Sequence, residues 1–256
     1  MTLTTGVILA LAALITSIIS AILGMGGGIL LLAVMLCFMS HGDAIPTHAA
    51  VQIASNGTRV LAFIRNVDRG TYGRFLIGVL PGMACGMMLL WVLGQPERSE
   101  PYLKMLIGAF ILVVTYLPKA KSATAFRMTW WDFPVIGLVV GTAALTVGAI
   151  GPLLAPLFAR RDFVKERLIA TKAVCQLTTH ILKIPAFIFL RDLDIPRLSG
   201  LAVVMICMVI PGTLIGKRLL QGVSERHFIV AYRAALTLAG LKVLLIDGVS
   251  RLSGLT

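Results

Sequence analysis

The sequence predicts an all-α, polytopic membrane protein made of two repeats of opposite insertion, with helices interrupted at glycine and about eight to ten membrane segments. Composition, the spacing of apolar runs and a polar stripe that occurs twice carry this reading. Hydrophobic residues make up 58% of the 256 and charged residues only 13%, with a mean hydropathy of +0.94. Soluble domains carry about 25% charged residues. Apolar runs recur near 4–23, 28–39, 49–64, 75–93, 102–118, 133–158, 168–190, 198–216 and 228–247. Most approach the ~20 residues that cross the hydrocarbon as a helix. The first run follows an uncharged start with no cleavage box, so it reads as a span rather than a secretory signal. The loops leave no room for a sizeable soluble domain.

Taken in order, the elements repeat. The first run breaks at Gly24-Met25-Gly26-Gly27-Gly28 and leads to a helix bearing His48, Gln52, Asn56 and Arg59. The run at 133–158 breaks at Gly148-Ala149-Ile150-Gly151-Pro152 and leads to a helix bearing Lys172, Gln176, His180 and Lys183. One shift of 124 residues relates Gly24 to Gly148, Gly27 to Gly151 and each quartet to the other, with Thr47/Thr171, Ala49/Ala173 and Phe63/Phe187 matching identically. Steps of four, four and three put each quartet on one helical face. Pro81-Gly82-x-x-x-Gly86 recurs as Pro211-Gly212-x-x-x-Gly216, a motif for close helix packing in lipid or for a hinge. The halves are 1–118 and 132–256, joined by a basic linker at 119–131.

The net charge of +12 invites a nucleic-acid partner, but its distribution argues for a membrane surface. Lys and Arg gather in four loops: Arg65/Arg69/Arg74, Lys119/Lys121/Arg127, Arg160/Arg161/Lys165/Arg167 and Lys217/Arg218/Arg226. The remaining loops and the tail hold Arg98, Lys104, Arg191, Arg197 and Arg251. Positive loops mark the cytoplasmic side. Loops 41–46, 94–100 and 191–197 and both termini then face outward, and the polar helices of the two halves run in opposite directions. Cys37, Cys85, Cys175 and Cys207 stand singly in apolar runs, so they read as small hydrophobes with no metal or disulfide pattern.

Arg59, Lys172, Lys183, Arg233 and Lys242 fall within or at the ends of spans, whereas the acidic residues fall in loops or at span edges. A cation at the bilayer centre costs about 2.5–3.5 kcal/mol on insertion scales. Without carboxylates in the spans, an anion from outside the protein supplies the counter-charge; snorkelling to the interface is the alternative. Unwound backbone at membrane depth must line a cavity or be buried in protein, and the half-helix that follows it presents amides to an anion. The candidate site therefore comprises Gly26, Gly27, Gly28, His48, Gln52, Asn56, Arg59, Gly151, Lys172, Gln176, His180 and Lys183. His48 and His180 are the side chains in the spans suited to carrying a proton near neutral pH, or are neutral hydrogen-bonded helix residues.

Gly24-Met25-Gly26-Gly27-Gly28 and the apolar stretch after it resemble the Gly-x-Gly-Gly-Gly signature of the sulfite exporter (TauE/SafE) family. The degenerate second copy and the loop Arg65-Asn66-Val67-Asp68-Arg69-Gly70 are similar to that family too, although Ile150 and Pro152 replace expected glycines. The resemblance covers essentially the whole chain. It implies a multi-pass protein of the cell inner membrane that moves small sulfur-containing anions such as sulfite, sulfoacetate or thiosulfate, without a cofactor. No nucleophile–base pair or metal cluster suggests an enzyme. An anion channel, and an importer of thiosulfate- or sulfate-like oxyanions coupled to a cation, stay open as alternatives.

Overall fold

The computed structural model describes residues 2–23, 26–94, 96–116, 129–151, 153–154, 165–191, 195–219 and 225–252. Gly24, Met25 and Pro152 of the glycine motifs, and most of the 119–131 linker, lie outside the described residues.

The regular structure described is helical throughout. The apolar runs become α1 (Leu3–Leu23), α2 (Gly27–Leu36), α3 (His41–Phe63), α4 (Arg69–Val92) and α5 (Pro96–Tyr116) in the first half. In the second half they become α6 (Asp132–Thr146), α7 (Lys165–Arg191), α8 (Ile195–Leu219) and α9 (Glu225–Leu241), followed by a π-helical segment, Lys242–Ser250. Helices begin where local chemistry starts them. Ser40 accepts the amide of Asp43 at 3.1 Å, so residues 41–46, expected as a loop, form the first turns of α3. Likewise α5 begins at Pro96 inside the expected loop 94–100, because proline suits a first helical position.

Leu3–Ala21, Arg69–Val92, Arg98–Tyr116, Glu166–Leu190 and Leu198–Gly216 are five stretches long and apolar enough to cross a membrane. The eight to ten segments expected from the sequence include helices outside this set. Gly27–Leu36 and Asp132–Thr146 are apolar but short. In α3 the residues His48, Gln52, Asn56 and Arg59 lower the hydropathy. The outer surface is itself apolar, with Ile15, Leu80, Val113, Val139, Leu214 and Leu238 exposed. Buried polar side chains gather on α3 and α7 instead. This arrangement, with a greasy outside around a polar seam, suits lipid as the solvent.

Packing between the halves is reciprocal. A Cβ on Gly82 of α4 would strike the carbonyl of Leu138 on α6, and one on Gly86 would meet that of Thr142 at 3.0 Å. In the other half, a Cβ on Gly212 of α8 would meet the Leu14 carbonyl at 2.5 Å, and one on Gly216 the Ile18 carbonyl at 2.6 Å. Leu14 and Leu138, like Ile18 and Thr142, are 124 residues apart. Helix α4 therefore seats its Pro-Gly-x-x-x-Gly motif on α6, and α8 seats the matching motif on α1. Thr142 also donates its hydroxyl to the Gly82 carbonyl at 3.1 Å. Between these pairs lie α3 and α7, packed against each other.

Candidate functional site

Two glycines of positive φ set the frame. Gly26 takes a left-handed backbone (φ 96°) and Gly148 does the same (φ 82°), a conformation costly for a residue with a Cβ. Helix α2 restarts at Gly27, and the Leu30 amide bonds the Gly26 carbonyl at 3.3 Å. In the second half a helical turn restarts at Gly151, and the Leu154 amide bonds the Ile150 carbonyl at 3.2 Å. Both restarts obey the same 124-residue shift. The N-cap Gly26 has no side chain to satisfy the first amides of α2.

The polar helices bring their quartets to these glycines. His48 on α3 is 1% exposed and lies 2.9 Å, through Nε2, from the Gly28 carbonyl. A carbonyl only accepts, so Nε2 carries the hydrogen, and Nδ1 is a buried lone pair without a hydrogen-bond partner among the described residues. The amide nitrogen of Gln52 is 3.3 Å from the same Nε2. Asn56, fully buried, donates to the Gln52 carbonyl at 3.0 Å. Arg59 donates to Asn56 Oδ1 at 3.5 Å and to Ser20 Oγ at 3.2 Å, beside the end of α1.

On α7, Lys183 is fully buried and donates to the Gly148 carbonyl at 2.5 Å and to His180 Nδ1 at 3.3 Å. The amide of Gln176 faces Gly151, where a Cβ would meet it at 3.0 Å. The two histidines meet across the helices, edge to face, with ring centroids 5.7 Å apart. Lys172 is half-buried and close enough to Arg59 for their charges to repel. Arg59 thus stands beside the end of α1, and Lys183 on the backbone after α6.

Ion pairs among the described residues are Lys104–Glu100, Arg167–Asp68, Lys242–Asp247 and Arg251–Glu100. None involves Arg59, Lys172 or Lys183. The expectation that every span cation lacks a carboxylate fails at Lys242, whose ammonium lies 2.8 Å from Asp247. The π-helical winding brings these residues, five apart, into contact. Among the described residues no group of His, Cys, Asp and Glu could hold a metal ion.

The two adjacent glycines of α2 present different sides. Gly27 faces α1, where a Cβ would run into the Thr16 carbonyl and Ser20, not the polar helix. Gly28 is the glycine that faces α3, with a Cβ meeting the Gln52 amide at 2.7 Å. Three contributors escape a reading of the sequence. Gly148 is paired by sequence with Gly24 but carries the positive φ that Gly26 carries in the first half. Ser20 belongs to a polar strip, Thr16, Ser17 and Ser20, visible on the face of an apolar helix. Tyr232 on α9 donates its hydroxyl to the Gly26 carbonyl at 3.0 Å and has no signal in the sequence.

A family model described as Sulfite exporter TauE/SafE matches residues 9–243. No curated protein and no solved structure matches the chain.

Proposed function

The chain belongs to the sulfite exporter TauE/SafE family, and from that membership we propose that it is a secondary transporter of small sulfur-containing anions, acting as an exporter across the cell inner membrane. The observation that carries the reading is the pair Arg59 and Lys183. Lys183 is fully buried and Arg59 partly buried on helices that pack together, neither meets a carboxylate among the described residues, and each stands beside a glycine of positive φ or the helix next to it. Burying cations without counter-charge is unfavourable unless an anion completes the site. A sulfite or short sulfonate supplies that charge together with three oxygens for hydrogen bonding.

In this reading the halves are inverted-topology repeats and the anion binds between them near the midplane. Arg59, Lys172 and Lys183 attract the charge. Gln52, Asn56, Gln176 and His180 orient the oxygens, and Gly26, Gly28 and Gly151 let backbone amides approach. His48 and His180 are the groups available to carry a proton. An inside-negative potential drives anion efflux by about 2.3 kcal/mol per charge per 100 mV, so export needs no coupled ion.

Counterflow in proteoliposomes tests the proposal. Labelled sulfite should accumulate transiently against internal unlabelled sulfite or sulfoacetate, with saturation, and Arg59→Ala and Lys183→Ala should abolish it. Non-saturable flux without counterflow would make the protein a channel, and normal counterflow in both variants would move the site elsewhere.

A further inference from the structure

A latch joins the halves at the end of α7 nearest the basic loops. Asp68 precedes α4 and caps it, its carboxylate accepting the Thr71 amide at 2.7 Å. Its second oxygen pairs with Arg167 at the start of α7. Its own amide donates to Thr171 Oγ1 at 2.9 Å. One turn into α4, the Tyr72 hydroxyl meets Thr178 Oγ1 at 2.8 Å. These contacts rivet the α3–α4 turn to α7 alongside Lys172 and Gln176.

The latch is one-sided. Thr47, which the repeat places where Thr171 stands, is 2% exposed, and its hydroxyl has no partner among the described residues. The same hydroxyl is therefore engaged at one end of the helix pair and unengaged at the other.

Charge gives the latch a second role. Asp68 lies in an arginine-rich turn with Arg65 and Arg69, and Arg167 precedes Lys172 by five positions on α7. The carboxylate is 8% exposed, while the Arg167 side chain is half exposed. A carboxylate oxygen and an oxygen of a sulfur oxyanion are equivalent charged acceptors for a guanidinium N–H.

Resting on the transport reading above, we propose that Arg167 is the first-contact subsite for the anion on the basic-loop face. Asp68 occupies it as an internal surrogate, so that arrival of the anion and release of the latch are one exchange. The anion takes Asp68's place on Arg167 and passes to Lys172 and Arg59.

The test uses the purified full chain, with sodium sulfite as the probe in calorimetry and in sided proteoliposome uptake. Asp68→Asn keeps the α4 cap but removes the competing charge, and should lower the sulfite Kd about threefold to tenfold. Arg167→Gln should raise KM on that face several-fold with the maximal rate kept. The double variant should lose the gain of Asp68→Asn, because its target is gone. Asp68→Ser, which also caps, substitutes if Asp68→Asn fails to fold. An unchanged or weaker Kd in the capped variant, or a double variant that keeps the gain, overturns the exchange. Loss of binding in Arg59→Ala beside an unmoved Asp68→Asn removes the latch and leaves the transport reading standing. No sulfite or sulfoacetate binding to the unaltered chain removes both.

Discussion

His48 and His180 stand edge to face with ring centroids 5.7 Å apart, one from each polar helix. Each is tied to a different partner: His48 to the Gly28 carbonyl, and His180 to the ammonium of Lys183. The two glycine segments are thus connected through one ring contact.

Substitution at His48 separates its bond from its proton. His48→Gln keeps an N–H that can reach Gly28, whereas His48→Ala leaves that carbonyl without the donor and opens a cavity. His48→Ala should cost about 1–3 kcal/mol, read as a lower melting temperature. His48→Gln should melt near the unaltered protein. If His48 carries a transported proton, His48→Gln will also flatten the pH dependence of sulfite counterflow between pH 6 and 8, about the range where histidine titrates. A profile unchanged from the unaltered chain would leave His48 a purely structural donor.

Arg59 and Lys183 should differ in how they fail. Lys183→Ala removes the charge and strips the Gly148 carbonyl of its ammonium, so both anion affinity and melting temperature should fall. Arg59→Lys retains a charge but loses the planar fork that reaches Asn56 and Ser20. Its sulfite Kd should weaken by about tenfold or more. Equal affinity of Arg59→Lys and the unaltered chain would mean that Arg59 acts as a point charge alone.

The packing glycines give a prediction independent of any substrate. Gly82→Ala and Gly212→Ala each drive a methyl into the backbone of the partner helix, which cannot swing aside as a side chain can. Each should destabilise by about 1–3 kcal/mol. At Gly73 and Gly200 an added methyl would meet nothing within 4 Å, so alanine there should be neutral or mildly stabilising. Thermal unfolding in detergent distinguishes the two groups; equal melting of Gly82→Ala and Gly73→Ala would contradict the packing.

What could be read from sequence follows from what repeats. Hydrophobic runs located each helix and bounded α1, α2, α7 and α8 within a few residues, and the quartets were legible because polar side chains at helical spacing stand out against apolar sequence. Starts set by capping, such as Ser40 on Asp43, shifted α3 by several residues because a local hydrogen bond outweighs average hydropathy. Contacts between distant elements had no periodic trace. Tyr232 on Gly26, Arg59 on Ser20 and Asp68 on Arg167 each join segments whose proximity only the fold decides. The side of α2 that Gly27 presents was likewise invisible, since Gly27 and Gly28 are equivalent letters pointing about 100° apart around the helix.

Acid should act on the latch. Burial alone would raise the Asp68 carboxyl, but the bonds from Thr71 and the Arg167 guanidinium outweigh it and hold the group below its ordinary 3.8. A carboxyl lowered by folding adds stability above that ordinary value and loses it as the pH falls through the folded value. Asp68→Asn should therefore melt below the unaltered chain at pH 6, with the gap narrowing as the pH is taken below 4. A gap that stays constant down to pH 3 would show that the lost stability is not that of the ionised carboxylate.

The two adjacent glycines of α2 separate packing from binding. A methyl on Gly27 enters the space of the Thr16 carbonyl and Ser20 on α1, where backbone must move. Gly27→Ala should lower melting temperature and the yield of folded protein, while the molecules that fold keep their sulfite Kd. A methyl on Gly28 meets instead the end of Gln52, 2.7 Å away, and a glutamine amide can rotate aside. Stability should then change little. Yet Gln52 contacts His48, and its displacement disturbs the group proposed to orient the anion, so Gly28→Ala should weaken sulfite binding several-fold. Comparing Kd per folded molecule with melting temperature for both variants decides the matter. If Gly28→Ala binds sulfite as well as the unaltered chain, Gln52 does not touch the anion, and the contact surface must lie nearer Arg59 and Lys172.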